Sequence, residues 1–420
     1  MKINKKIKDF IQEDTLERFL KYVKIWSTSE EDAPKFPSTE NQIEFGKIIV
    51  NDLRELGIND IIHDKHGYIY ANVPASEGFE DKRAIGLIAH LDTSPAVKGK
   101  DVVPVIHENY DGKPIKFKKD KELILKIQDS PELENYIGMD IISAQGDTLL
   151  GADDKAGIAE ILAVCTAWQK FPEIQHGPVV VCFFPDEELG IGTKEIDLEK
   201  IPSICYTIDG GQLGELEYEC FDAWKATIVF NGLSVHPGYA KNLMINAVNI
   251  ACRFFSNLPE AESPRHTEDR EGFYHLYKLK GNEEKATAVL IIRDYEEVNN
   301  KKRMEYLMKL KNIFEYQYEG LEIEISYEHQ YENMINYLQK EEKIVDIAKK
   351  AIENANLELK IHSIRGGTDG AKLSAKGIPT PNIFTGGLLF HSRKEYIPKI
   401  ALLKASEVIL NLIDLWSNES

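Results

Sequence analysis

The sequence predicts an α/β protein: a central mixed β-sheet flanked by helices, with a smaller α+β domain inserted into the chain. Three observations predict it. Short unbroken apolar runs lie at 84–89 (AIGLIA), 178–184 (PVVVCFF) and 203–208 (SICYTI), each of a length that suits a strand buried on both faces. Between the first two, Ile158, Ile161, Leu162, Cys165 and Trp168 recur at steps of three and four from Lys155 to Lys170, which marks one face of a helix. From about residue 213 this texture gives way to two-residue alternation, and it returns after about 332.

In chain order, the N-terminus MKINKKIKDFIQEDTLERFLKYVKIW has a helical period and no apolar core of signal-peptide length. The strand–helix–strand order that follows builds an α/β sheet. ELEYECFDAWKATIVFNG (215–232) alternates like a strand with one face in water. A helix over Asn246–Leu258, a polar loop, a strand Thr287–Asp294, a helix 298–316 and a strand Leu321–Tyr327 complete a βαββαβ-like unit. Helices near 338–354 and 399–416 return to the first texture. The expected organisation is a discontinuous domain of 1–212 and 332–420 interrupted by an inserted domain of 213–331.

Composition narrows the function. The chain has 420 residues, 43% hydrophobic, with a formal net charge of −18. Such a surface repels phosphate backbones, which argues against nucleic acid as a partner. No run approaches the roughly 18 apolar residues of a membrane span. The five cysteines (Cys165, Cys182, Cys205, Cys220, Cys252) show no CxxC pairing and sit mostly in apolar runs. They read as small buried hydrophobes in a reducing compartment, hence a cytoplasmic protein.

The chemistry gathers at strand ends. AIGLIA runs into His90-Leu91-Asp92, PVVVCFF into Asp186-Glu187-Glu188, SICYTI into Asp209-Gly210-Gly211, and NIFTGGLLF into His391. Ligands of open α/β sheets collect outside the carboxyl ends of strands, so these residues share one expected site. Each has a plain structural reading beside the functional one. His90 and Asp92 face the same way on a continuing strand, but HxD alone is no more than a strand end turning polar. Asp153-Asp154 opens the helix, and N-capping explains one aspartate, not two. Adjacent Glu187 and Glu188 suit two tasks, metal binding and proton handling, yet acidic turns are common. Asp209 before two glycines is ordinary turn chemistry.

HLDT, LLGADDKAG, PDEELG, the Asp209 strand end, SVHPG, RGGTDGA and the late FTGG…H together resemble the M20 family of zinc peptidases. They run in order from Pro37-Ser38-Thr39-Glu40 to His391. RGGTDGA and EGFYHL (271–276) resemble its tripeptide-aminopeptidase branch most. The resemblance implies two Zn²⁺ ions, with Mn²⁺ or Co²⁺ as substitutes. His90 and Asp209 would bind one ion, Glu188 and His391 the other, and Asp153 both. It makes Asp92 the residue that orients His90, and Glu187 the general base. Three ligand carboxylates and a hydroxide balance two divalent ions, the histidines being neutral when they ligate. It implies a ferredoxin-like lid and dimerisation role for the inserted domain, and hence a homodimer. His236 would steady the oxyanion, often from the partner subunit. Arg293 would grip the substrate's terminal carboxylate, Arg365 to Thr368 would form a substrate loop, and Asn333 would be a further contact. Two positions and one stretch depart from the family: Ser392 and Asn242 stand where glycines are usual, and Leu388-Leu389-Phe390 is unusually apolar. Short peptides are the implied substrates. Another M20-type hydrolase (a dipeptidase or an amidohydrolase) and a non-catalytic binding protein are the competing readings.

Overall fold

The structure, a computed structural model, describes residues 3–419. The chain forms two compact units. The first comprises the residues up to Tyr218, Tyr337–His362, and those from Thr368 onward; the second is Glu219–Asn336 with Ser363–Gly367.

The first unit carries a mixed eight-stranded sheet. Its order is Ile61–His63, Ile69–Val73, Val179–Phe184, Ile85–His90, Cys205–Gly210, Asn382–Phe384, Glu215–Cys220, Lys360–Ile364. The pairings of Ile85–His90 with both of its neighbours, and of Cys205–Gly210 with Asn382–Phe384, are parallel. The three apolar runs are therefore central strands. Every residue of Ile85–His90 and Val179–Phe184 is buried, as expected for strands covered on both faces. Close packing there is strict: a Cβ on Gly86 would collide with Cys205 Sγ.

The helix Ala152–Lys170 packs on Ile85–His90 and Cys205–Gly210. It is covered in turn by Lys5–Tyr22 and Lys399–Ser417, which explains why it is buried almost all round rather than on one stripe. Lys5–Tyr22 is capped by Asn4, whose side chain accepts from Ile7 N–H, and it buries Ile7, Ile11, Thr15, Phe19 and Tyr22 at helical spacing. A small sheet of Val105–His107, Ile141–Ser143 and Tyr396–Pro398, which the sequence reading did not anticipate, roofs a separate apolar cluster.

The second unit is a four-stranded antiparallel sheet with the helices Ala247–Phe255 and Glu297–Gln317. Its strand order, Phe273–Gly281, Lys285–Asp294, Asp222–Asn231, Glu322–Tyr331, is the ferredoxin-like arrangement of a βαββαβ chain.

Three expectations are corrected. The alternating run from 215 is two strands, Glu215–Cys220 and Asp222–Asn231, in different sheets; no Gly or Pro marks the break at Phe221. The "polar loop" before 287 holds the strand Phe273–Gly281, most of whose side chains face solvent. It is an edge strand, and edges tolerate Lys and His without apolar alternation. Cys252 is exposed, whereas the other four cysteines are buried; the buried face of its helix is carried by Ala247, Ile250, Ala251 and Phe254, and Cys252 lies beside the exposed Arg253 off that face.

Candidate metal centre

Strand ends, a helix start and a turn bring five side chains of the first unit together. His90 closes its strand, with Nε2 2.8 Å from Asp153 Oδ1 and 3.4 Å from Asp209 Oδ1. His391 Nε2 lies 2.8 Å from Glu188 Oε2 and 3.1 Å from Asp153 Oδ2. Asp153 thus turns one oxygen to each histidine. Two groups of possible ligand atoms overlap here: His90 with Asp153 and Glu188, and His90 with Asp154 and Asp209. Asp154 differs from its neighbour in how it is held. Its oxygens accept the backbone N–H groups of His90 and Gly157, so it ties the helix start to the strand end.

Asp92 is fully buried and has two tasks. Its carbonyl oxygen lies 3.1 Å from His90 Nδ1. A carbonyl only accepts, so Nδ1 carries the proton and Nε2 faces the cluster. Its carboxylate, 3.4 Å from the same ring nitrogen, accepts the N–H groups of Glu187 and Glu188 at 3.0 and 3.2 Å.

The electrostatics are those of concentrated negative charge. Burial, with Asp153 nearby, pushes Glu188 up to about 8. Burial also raises Glu187, and lifts Asp209 and Asp154 well above the usual carboxylate range. Burial opposes the charge on Asp153 too, but His391 and His90 overcome it and hold this carboxyl low. Hydrogen bonds to Asp153 and Glu188 raise His391 to about 11. Burial disfavours a charged His90, yet Asp209 and Asp153 outweigh it and raise it well above normal. Among the described residues, Asp153, Glu188 and Asp209 have only these two histidines as ion-pair partners. Glu188 Oε1 is buried with no hydrogen-bond partner. An oxygen- and nitrogen-rich cluster with one orphaned carboxylate oxygen and no Lys or Arg paired to its three acidic members fits divalent cations.

A carboxylate that sequence reasoning missed supports this cluster. Glu395, 1% exposed, accepts four successive backbone N–H groups: Leu150 and Gly151 on Oε2, Ala152 and Asp153 on Oε1. It fills the N-terminus of the helix that carries Asp153 and complements its dipole. The signal was faint: a glutamate four residues after His391.

The departures have local causes. Asn242 has φ +59°, a left-handed conformation that asparagine tolerates where glycine is usual. Ser392 Oγ donates to Leu389 O and accepts from Lys394 N–H, which closes the turn that presents His391. Leu388 belongs to the apolar cluster under the small sheet, and Leu389 packs against it.

The remaining sequence candidates lie in the second unit. His236 is exposed, and its Nδ1 accepts from Gly238 N–H in a short turn. Arg293 donates to Trp224 O, Ile292 O and Gln330 Oε1. Arg365 donates to the carbonyls of Asp269, Glu271 and Thr267, with its guanidinium over Phe221. Asn333, 3% exposed, accepts from Cys220 and Ile335 N–H and donates to Tyr295 O. Asn333 and the two arginines thus have polar atoms engaged within their own unit.

Facing imidazoles and carboxylates at the strand ends of an α/β sheet define a metal-dependent hydrolase. Residues 149–415 match the model of peptidase family M20/M25/M40, and the chain belongs to this family. It is a metallo-aminopeptidase. Among its relatives, a protein of Listeria monocytogenes serotype 4b (strain CLIP80459) named Peptidase T is 44% identical over 410 residues, 97% of this chain and all of the relative. Similar folds include the aminopeptidase PepT of Bacillus cereus, with TM-score 0.76 at 21% identity, covering 97% of this chain and 99% of that one. A tripeptidase of Staphylococcus aureus has TM-score 0.76 at 20% identity over the same shares.

Proposed function

We propose that the chain releases the N-terminal residue of tripeptides with two zinc ions, as a cytoplasmic homodimer. The observation that carries the two-ion reading is Asp153, whose two oxygens face two different histidines. His90, Asp209 and Asp153 would hold one ion; Glu188, His391 and Asp153 the other. Bound zinc supplies Lewis-acid polarisation of the peptide carbonyl and lowers the pKa of water. Glu187 takes the water's proton at its carboxylate and returns it to the departing amine. Asp92 orients His90 through its carbonyl and holds the Glu187–Glu188 turn through its carboxylate.

The tripeptide preference rests on the RGGTDGA and EGFYHL motifs and on the Peptidase T relatives. His236 serves as a donor to the developing oxyanion, Arg293 and Arg365 as substrate grips once their present partners are exchanged, and Asn333 as a further substrate contact. The homodimer follows from the family resemblance of the inserted domain. The cytoplasmic location is supported by four buried free cysteines. In addition, no helix among the described residues is long and apolar enough to cross a membrane.

The test is metal analysis with a peptide panel on one preparation. The expected result is two zinc per chain and cleavage of free tripeptides, with N-blocked tripeptides and dipeptides poor. Good cleavage of N-blocked substrates with none of tripeptides refutes the aminopeptidase specificity. Glu187→Gln should keep its metal and lose about 10²–10⁴-fold in kcat; full activity removes Glu187 from its role.

A further inference from the structure

The Pro37-Ser38-Thr39-Glu40 segment has no task in the reaction above, yet the structure ties it to the catalytic turn. Asp186, directly before Glu187, is fully buried and holds φ +54°, a conformation unusual for a residue with a Cβ. Its carboxylate accepts three hydrogen bonds: from Ser38 N–H at 2.6 Å, from the Ser38 hydroxyl, and from Gln42 Nε2 at 2.7 Å. Gln42 Oε1 in turn accepts Asp186 N–H at 2.9 Å. Ser38 is 2% exposed and Gln42 fully buried.

The consequence shows in the turn's backbone. Three successive N–H groups, those of Asp186, Glu187 and Glu188, are taken by side chains from outside the turn: the first by Gln42, the other two by Asp92. Adjacent glutamates must diverge to perform different tasks, and the directions in which they leave the chain are set by the backbone dihedrals of the turn. A turn held on both sides has one such set of dihedrals.

We propose that Ser38, Gln42 and Asp186 are positioning residues that fix the direction of Glu187. They act through Glu187 and do not touch substrate. The inference rests on the reading of Glu187 as the base, and the controls separate the two.

Asp186→Asn keeps side-chain size and tolerance of positive φ while setting an amide against Gln42 Nε2. Gln42→Leu removes both of its hydrogen bonds to Asp186, and those to Ser38 and Thr39, at similar volume. Each should lower kcat by about 10–100-fold, the scale of a small misplacement of a reacting group, with KM changed less than about threefold. Metal content, measured on the same samples, should equal the parent's. Combining Gln42→Leu with Glu187→Ala should lower kcat no further than Glu187→Ala alone, because both act through one group. Ser38→Ala, assayed below its unfolding temperature, carries the test if the other variants do not fold; it should lose kcat in the same sense, by about threefold or more. Parental kcat in these variants beside an inactive Glu187→Ala overturns the network and leaves the base reading intact. A kcat restored by saturating zinc also overturns it, since the network would then act on metal binding. Parental kcat in Glu187→Ala overturns the base reading itself.

Discussion

Replacing Glu395 by glutamine tests how the Asp153 loop is held. The carboxylate accepts four backbone N–H groups, two on each oxygen, at 2.7 and 2.9 Å on Oε2 and at 2.7 and 3.3 Å on Oε1. Glutamine has one oxygen. It will keep the better pair, Leu150 and Gly151, and turn its NH₂ toward Ala152 and Asp153. Two buried donors then face a donor. At about 1–3 kcal/mol for each unsatisfied group, the loss is about 2–6 kcal/mol before relaxation. One of the two is the N–H of Asp153 itself, so the carboxylate between His90 and His391 should shift. Removal of a partner that orients a metal ligand lowers metal affinity by roughly 10–100-fold. The assay is zinc titration of metal-stripped Glu395→Gln and parent, with thermal unfolding of both forms. The expected result is a lower Tm of the stripped protein and weaker zinc binding. Parental zinc affinity together with a parental Tm refutes the reasoning.

Two further perturbations probe the core of the first unit. Glu160 is buried in the helix Ala152–Lys170 with neither carboxylate oxygen bonded, and burial raises it well above the usual range. The folded chain therefore keeps a proton that the unfolded chain releases near pH ~4.3, so stability falls as pH rises from there toward the folded pKa. Glu160→Met should stabilise by about 1–3 kcal/mol, with a Tm advantage larger at pH 8 than at pH 5; an equal advantage at both refutes the assignment. Gly86→Ala sets a methyl against Cys205 Sγ and should cost about 1–3 kcal/mol in urea unfolding. Adding Cys205→Ala should recover most of it; no recovery places the strain elsewhere.

The strands of the first unit were readable because burial on both faces leaves continuous apolar runs, as at Ile85–His90 and Val179–Phe184. Four of the five candidate ligands were readable because each follows such a run; the fifth, Asp153, stands at the start of a helix instead. Phe273–Gly281 was not, since an edge strand with exposed lysines has no pattern to distinguish it from a loop. The long-range partners were not readable either. Gln42 and Asp186 lie 144 positions apart, and Glu395 lies 245 from Leu150. No periodicity links such residues.

The deeper difficulty is chemical. Asp153, Glu188 and Asp209 are candidate ligands, while Asp92, Asp154, Asp186 and Glu395 are clamps, and both sets are buried or half-buried carboxylates. Residue type and strand-end placement cannot separate them. What separates them is the partner. Each clamp carboxylate accepts at least one backbone N–H, whereas the side chains of Asp153, Glu188 and Asp209 face imidazoles. A carboxylate already satisfied by backbone donors has less of its charge left for a cation, and one facing an imidazole can exchange it for a metal shared by both. The distinction between Asp153 and Asp154, which spacing left open and resemblance decided, thus has a physical basis in which of the two the backbone has already taken.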